Sequence, residues 1–147
     1  MQGRFLTLVI LLLLAAPALD AADVQEFRKV DVFVTNEDGD EKKRDARLEI
    51  DADAGEIRVV DEKRGAERAV YAIIPIAEVT ALVYSTEEGS RWGGIVGVRP
   101  HSHWLALRSP ALPAGALKMR LDKDNQRDIR FALRAATGLV DDLLLGR

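Results

Sequence analysis

The chain has 147 residues, 31% of them charged, with a net charge of −3 and no cysteine. Lacking cysteine, it has no disulfide, no thiolate metal ligand and no cysteine nucleophile, so packing alone must hold the fold. The mildly acidic balance argues against non-specific binding to nucleic acid or anionic lipid, though it leaves room for a local basic patch.

Met1-Gln2-Gly3-Arg4 supplies one basic side chain, and an apolar run follows from Phe5 to Ala16, broken only by Thr7. Ala16-Pro17-Ala18 then gives a small-x-small site. This order predicts an export signal over residues 1–18, cut after Ala18, with Ala21 and Ala22 as alternative cuts. The apolar run is too short for the roughly 20 residues of a bilayer-spanning helix. An uncleaved anchor is the rival reading. The expected location is the periplasm or the medium. The remainder suits one domain. It divides into a leading strand and charged loop, 19–45, and a main unit, 46–147.

Val30, Val32 and Val34 alternate with Asp31 and Phe33, the period of a half-buried strand. Asn36 to Arg44 holds four acids, three bases and Gly39 but no apolar side chain, which predicts an exposed loop. The alternation at Leu48 and Ile50 predicts a strand, and Asp53-Ala54-Gly55 a hairpin turn. Ile57 and Val59 carry the return strand, and Lys63-Arg64-Gly65 is a second turn. Val70 to Ile74 reads as a strand covered on both faces, ended by Pro75. Val79 to Tyr84 reads as the next strand.

Residues 85–103 are irregular, with Gly89, Gly93, Gly94, Gly97 and Pro100, and a short strand candidate at Ile95 to Val98. Trp104 to Leu107 reads as a strand. Ser109 to Gly115 reads as a loop, and Leu117, Met119 and Leu121 mark the last strand. The period then changes. Ile129, Leu133, Ala136, Val140 and Leu143/Leu144 recur every three to four residues, predicting an amphipathic helix of about 20 residues. Asp124 or Asn125 is its cap, Gly138 its weak point and Gly146 its end. Arg130, Arg134 and Asp141 are expected to face away from the core. The expected fold is mainly β (α+β). It is a curved antiparallel sheet or partly open barrel of about seven strands, closed by one C-terminal helix.

Over about residues 46–145 this order resembles the pleckstrin-homology-like (PH and GRAM) domains. The likeness rests on the strand order, on Ile74-Pro75-Ile76-Ala77-Glu78-Val79 leading into a strand, and on the closing helix. Tyr84-Ser85, Arg91-Trp92, His103-Trp104-Leu105, Leu121 to Asn125 and Thr137-Gly138 are similar to segments of a group of small exported bacterial proteins of unknown function. The resemblance implies a PH-like fold and no activity. It also implies a basic first hairpin wherever phosphoinositides are bound. Here that turn, Asp51-Ala52-Asp53-Ala54-Gly55, is acidic.

Arg91, Trp92, His103 and Trp104 flank the glycine-rich segment and are the candidate ligand-binding residues. Two tryptophans near one loop can form an aromatic platform, and they can equally be packing anchors. His101 and His103 are two apart, so on a strand both imidazoles share one face and can reach one metal. Glu87 and Glu88 are the candidate further ligands that a metal needs. A turn histidine and a strand-start histidine are the plainer account. Lys42-Lys43-Arg44 follows four acids and reads as a self-neutralising turn. The glycines match no phosphate-binding spacing, and no serine sits in a G-x-S-x-G elbow. The expected function is therefore an exported, non-catalytic binding or interaction module for a protein or envelope component, with no cofactor and no nucleic acid. A peripheral lipid-binding domain and a histidine-based metal-binding protein or enzyme are the alternatives.

Overall fold

The computed structural model describes residues 23–35, 38–63, 65, 68–88 and 101–144. The signal segment 1–18, Arg91, Trp92 and the strand candidate at Ile95 to Val98 lie outside the described residues. Seven strands form one curved antiparallel sheet: β1 Val24–Thr35, β2 Glu41–Asp51, β3 Glu56–Asp61, β4 Val70–Pro75, β5 Ala81–Glu88, β6 His101–Arg108 and β7 Ala116–Leu121. One helix, α1 Gln126–Thr137, follows. A three-residue strand, β8 Asp142–Leu144, then pairs in parallel with β5. The order across the sheet is β4-β3-β2-β1-β7-β6-β5-β8.

β1 joins the two halves of the sheet. It pairs with β2 from Val24 to Thr35 and with β7 from Val30 to Phe33. Its register shifts between Phe27 and Val30, where Lys29 takes a left-handed φ of 56°. A bulge of this kind bends a strand and increases its twist. It is clamped from both sides: Asn125 Nδ2 donates to the Arg28 carbonyl, and the Lys29 N–H donates to Glu62. The β2–β3 hairpin turns where expected. Gly55 sits at φ 68°, a conformation that glycine adopts without Cβ strain, and Asp51 Oδ1 accepts the Ala54 N–H at 2.8 Å.

Alternate side chains from every long strand point to the concave face. Val30, Val32, Leu48, Ile57, Val59, Ile74, Leu82, Leu105, Leu107 and Met119 are fully buried there. The helix adds Ile129, Ala132 and Leu133, each 6% exposed or less, and lies against β2. Burying a side chain of this size stabilises by about 1.5–3 kcal/mol relative to leaving it in water.

The structure corrects several expectations. Glu41 to Arg44 belongs to β2 and not to a loop. Its backbone pairs with Val32 to Thr35 where the ribbon leaves the core, so its side chains stay in solvent and need no apolar alternation. Lys43 is neutralised there by Asp31 and Asp45 across and along the ribbon. β4 is an edge strand with Val70 and Ile73 about half exposed, not a strand covered on both faces. A 3-10 turn at Ile76–Glu78 delays β5 to Ala81. β6 starts at His101, earlier than the apolar pattern implied.

The helix has 12 residues, not about 20. Gly138 is its terminator. At φ 71° it sends its N–H back to the Arg134 carbonyl at 2.9 Å, a left-handed C-cap. Asn125 occupies the N-cap position without a side-chain cap bond: its Nδ2 donates to the Arg28 carbonyl, and in that orientation its Oδ1 accepts no hydrogen bond. Asp141 lies beyond the helix, with its side chain only 4% exposed.

Candidate functional site

β6 carries both His103 and Trp104. Neighbours on a strand point to opposite faces. Leu105 and Leu107 are in the core, so His103 shares the concave side, whereas Trp104, Ala106 and Arg108 project from the convex side. The two adjacent residues expected to serve one site therefore take part in two separate arrangements.

On the convex side the strand register builds cross-strand rows. Ser85, Trp104, Arg120 and Asp31 form one; Val83, Ala106, Lys118 and Phe33 form the next; Ala81, Arg108 and Ala116 form the third. The Phe33 and Trp104 rings lie 5.2 Å apart at 47°. The Lys118 ammonium sits 4.6 Å from the Trp104 ring centre and 5.4 Å from that of Phe33. This is cation–π geometry, worth about 0.5–1 kcal/mol at an exposed site. The Trp104 indole N–H donates to Glu87 at 3.1 Å. Ala106 is small, so the surface dips between Trp104 and Arg108 into a groove of about 360 Å³, with Val83 and Lys118 on its flanks.

The concave side holds a polar cluster where α1 meets β5 and β6. The Tyr84 hydroxyl is 2.7 Å from His103 Nδ1 and 3.4 Å from Gln126 Oε1. Its single proton serves one of these acceptors at a time. A neutral imidazole with bare Nδ1 takes it; a ring protonated at Nδ1 donates instead, and the hydroxyl turns to Gln126. The Arg130 guanidinium lies 3.7 Å from the Tyr84 ring centre and pairs with Asp141, which Arg134 also contacts at 3.5 Å. Arg130 and Asp141, expected to face away, thus pin the chain after the helix to its own last turns.

Partial burial holds the His103 pKa below the ordinary 6.5, helped by the nearby charges of His101 and Arg130; Asp122 opposes them. The fold thus favours the neutral ring. Stability from this group is full above the unfolded pKa of about 6.5 and is lost as pH falls toward the folded value. The melting temperature is expected to drop between pH 7.5 and 5.5, and by less in His103→Gln. Equal drops in thermal melts of the two proteins would remove His103 from the account.

The metal expectation fares differently from the aromatic one. His101 and His103 do alternate onto one side, but Glu87 projects from the other and is bound to Trp104. Among the described residues no three His, Asp or Glu side chains gather in a way that could hold a metal ion. A larger cleft of about 520 Å³ opens beside the β1 bulge between Lys29, Asp31, His101 and Arg120. Its strongest charges compensate one another: Arg120 donates through both Nε and Nη2 to Asp31 Oδ2, and Lys43 reaches the same oxygen. That leaves little to select a ligand.

Sequence reasoning found Trp104 but missed Phe33, Ala106, Arg108 and Lys118. Their alternation put them on one face, yet only the register between β1, β5, β6 and β7 makes them neighbours.

No family model matches the chain, and no curated protein matches it. Among solved structures, it is similar to a chain in the structure of the Spt16D Pob3N heterodimer, with a TM-score of 0.51 and 6% identity. The likeness covers 86% of this chain and 57% of that one, so this chain spans little more than half of its neighbour's length. The neighbour has a PH-like fold, and the present fold, a curved antiparallel sheet closed by one C-terminal helix, is PH-like too.

Proposed function

We propose that the chain is an exported, non-catalytic binding module, and that the convex face of β5, β6 and β7 is where it holds a protein or envelope component. One observation carries the reading. The described tryptophan is placed on the sheet surface instead of the core, beside an aromatic partner, a cation and a groove. Aromatic anchors next to a concave patch dominate the energetics of binding faces. Export rests on the basic, apolar and small-x-small order of residues 1–18.

The test is capture of envelope components by the purified protein and by Trp104→Ala. Capture is expected to fall at least tenfold in the variant with the melting temperature lowered by only about 5 °C, and the secreted protein to begin at Leu19. Equal capture by the variant would sink the role of this face. Retention of Met1 would sink cleavage of the signal, and recovery of the protein in the cytoplasmic fraction alone would sink export.

A further inference from the structure

We infer that the convex groove takes a small amphiphilic carboxylate, its apolar body over Ala106 and Val83 against Trp104 and its carboxylate on Arg108 and Lys118. The inference deepens the reading of this face as the binding face and rests on it. Four observations support the choice of chemistry.

The first is shape. Ala106 is flanked by Val83 on one side and Lys118 on the other, and the next row places Ala81 and Ala116 beside Arg108. Ala106 among larger neighbours makes a depression, with Val83 and Leu105 adding to its apolar lining. Its volume of about 360 Å³ falls in the range of small-molecule sites.

The second is charge. Among the described residues Arg108 enters no ion pair, and Lys118 rests on aromatic faces instead of a carboxylate. Two cations thus border the depression without an anion between them. Arg108 offers the forked donors that bind a carboxylate through two parallel bonds.

The third is the placement of the one acid. Glu87 lines the groove at its Trp104 end, six residues along β5 from Ala81 in the Arg108 row, roughly 20 Å at about 3.3 Å per residue. The Trp104 N–H donates to its carboxylate at that far end. Its repulsion of an anion is therefore weakest at Arg108, at the opposite end of the groove.

The fourth excludes a cationic occupant. The Trp104 and Phe33 faces that would attract one already carry the Lys118 ammonium.

The experiment is an NMR titration of the full chain, reading the Trp104 indole N–H signal. The probes are 3-phenylpropionate, the matching neutral alcohol 3-phenylpropan-1-ol, and acetate. A saturable shift is expected with 3-phenylpropionate, with at least fivefold weaker binding of the alcohol and of acetate. Arg108→Gln is expected to weaken 3-phenylpropionate at least fivefold. Ala106→Leu, an addition on an exposed surface that fills the depression, is expected to abolish it with the melting temperature retained.

No saturable shift, equal binding of acid and alcohol, or unchanged binding by Arg108→Gln would each overturn the inference. These results separate from the capture test. Loss of capture in Trp104→Ala without 3-phenylpropionate binding overturns the ligand class alone. Binding of 3-phenylpropionate with capture intact in Trp104→Ala supports the ligand class and overturns the partner reading alone.

Discussion

Replacing Arg47 by alanine is expected to destabilise the domain by about 3 kcal/mol, and replacing it by methionine by about 1 kcal/mol less. Arg47 is a charged residue in a strand of buried neighbours, with a side chain only 5% exposed. Its Nη1 donates to Glu26 at 3.0 Å, tying the free start of β1 to β2, and its Nε lies 3.2 Å from Glu49. The second contact is close but not aligned as a hydrogen bond, and Nη2 has no hydrogen-bond partner. Desolvation of the guanidinium is thus only partly offset, and the net worth of the cluster is small.

Truncation is a different matter. Either replacement strands the half-buried Glu49, whose remaining partner, Arg68, is 3.6 Å away, and alanine also leaves a void. Removing one member of a buried pair costs about 3–5 kcal/mol, and the low end applies here because Glu26 is half exposed. Methionine keeps the apolar stem and removes the unpaired donors. Urea denaturation of the three proteins reads the difference. Equal losses in the two variants would show that the stranded acid, and not the lost volume, is what matters.

Replacing Ile129 by alanine is expected to cost about 3–4 kcal/mol, and replacing Phe131 by alanine less than about 0.5 kcal/mol. The two lie two residues apart on α1 and on opposite sides of it. Ile129 is fully buried in the core, while Phe131 is 73% exposed. The removed methyl groups of Ile129 leave a cavity where the helix covers the sheet, and relaxation is limited by Leu133 and Ala132 on the same stripe. A loss of this size lowers the melting temperature by roughly 10–15 °C in a domain of this length. It is a large part of the roughly 5–15 kcal/mol that keeps such a domain folded. Similar melting temperatures for the two variants would contradict the placement of the helix.

Much of the fold was legible because it is written locally. The alternation at Val30 and Val32, at Leu48 and Ile50, and at Leu117, Met119 and Leu121 gives strands and their inner faces directly. The change of period after Asn125 gives the helix. Local pattern failed where chain and solvent change roles. Glu41 to Arg44 is a strand because β1 pairs with it, and nothing in its own side chains records that. Val140 continues the apolar stripe of α1, yet it is 74% exposed, because Gly138 adopts a left-handed conformation and turns the chain away. A glycine read as a weak point in a long helix was its end.

The site was half legible for the same reason. That His103 and Trp104 occupy opposite faces follows from period two. That Trp104 meets Phe33 and Lys118, or that Tyr84 meets Arg130, follows from register and helix placement, which are set by residues far away in sequence. Arg47 and Asp141 illustrate the limit in the other direction. Each is a buried charge paired with a partner 21 or 11 residues away, which no local pattern records.

Placing a photo-crosslinking side chain at Ala116, exposed beside Arg108 on the convex face, and in a second protein at Phe131 on the outer side of α1, tests the assignment of the binding face most directly. Irradiation in the native envelope is expected to give a discrete adduct from position 116 and none from position 131. An adduct from position 131 alone would contradict the account and move the binding face to the exposed apolar side of the helix.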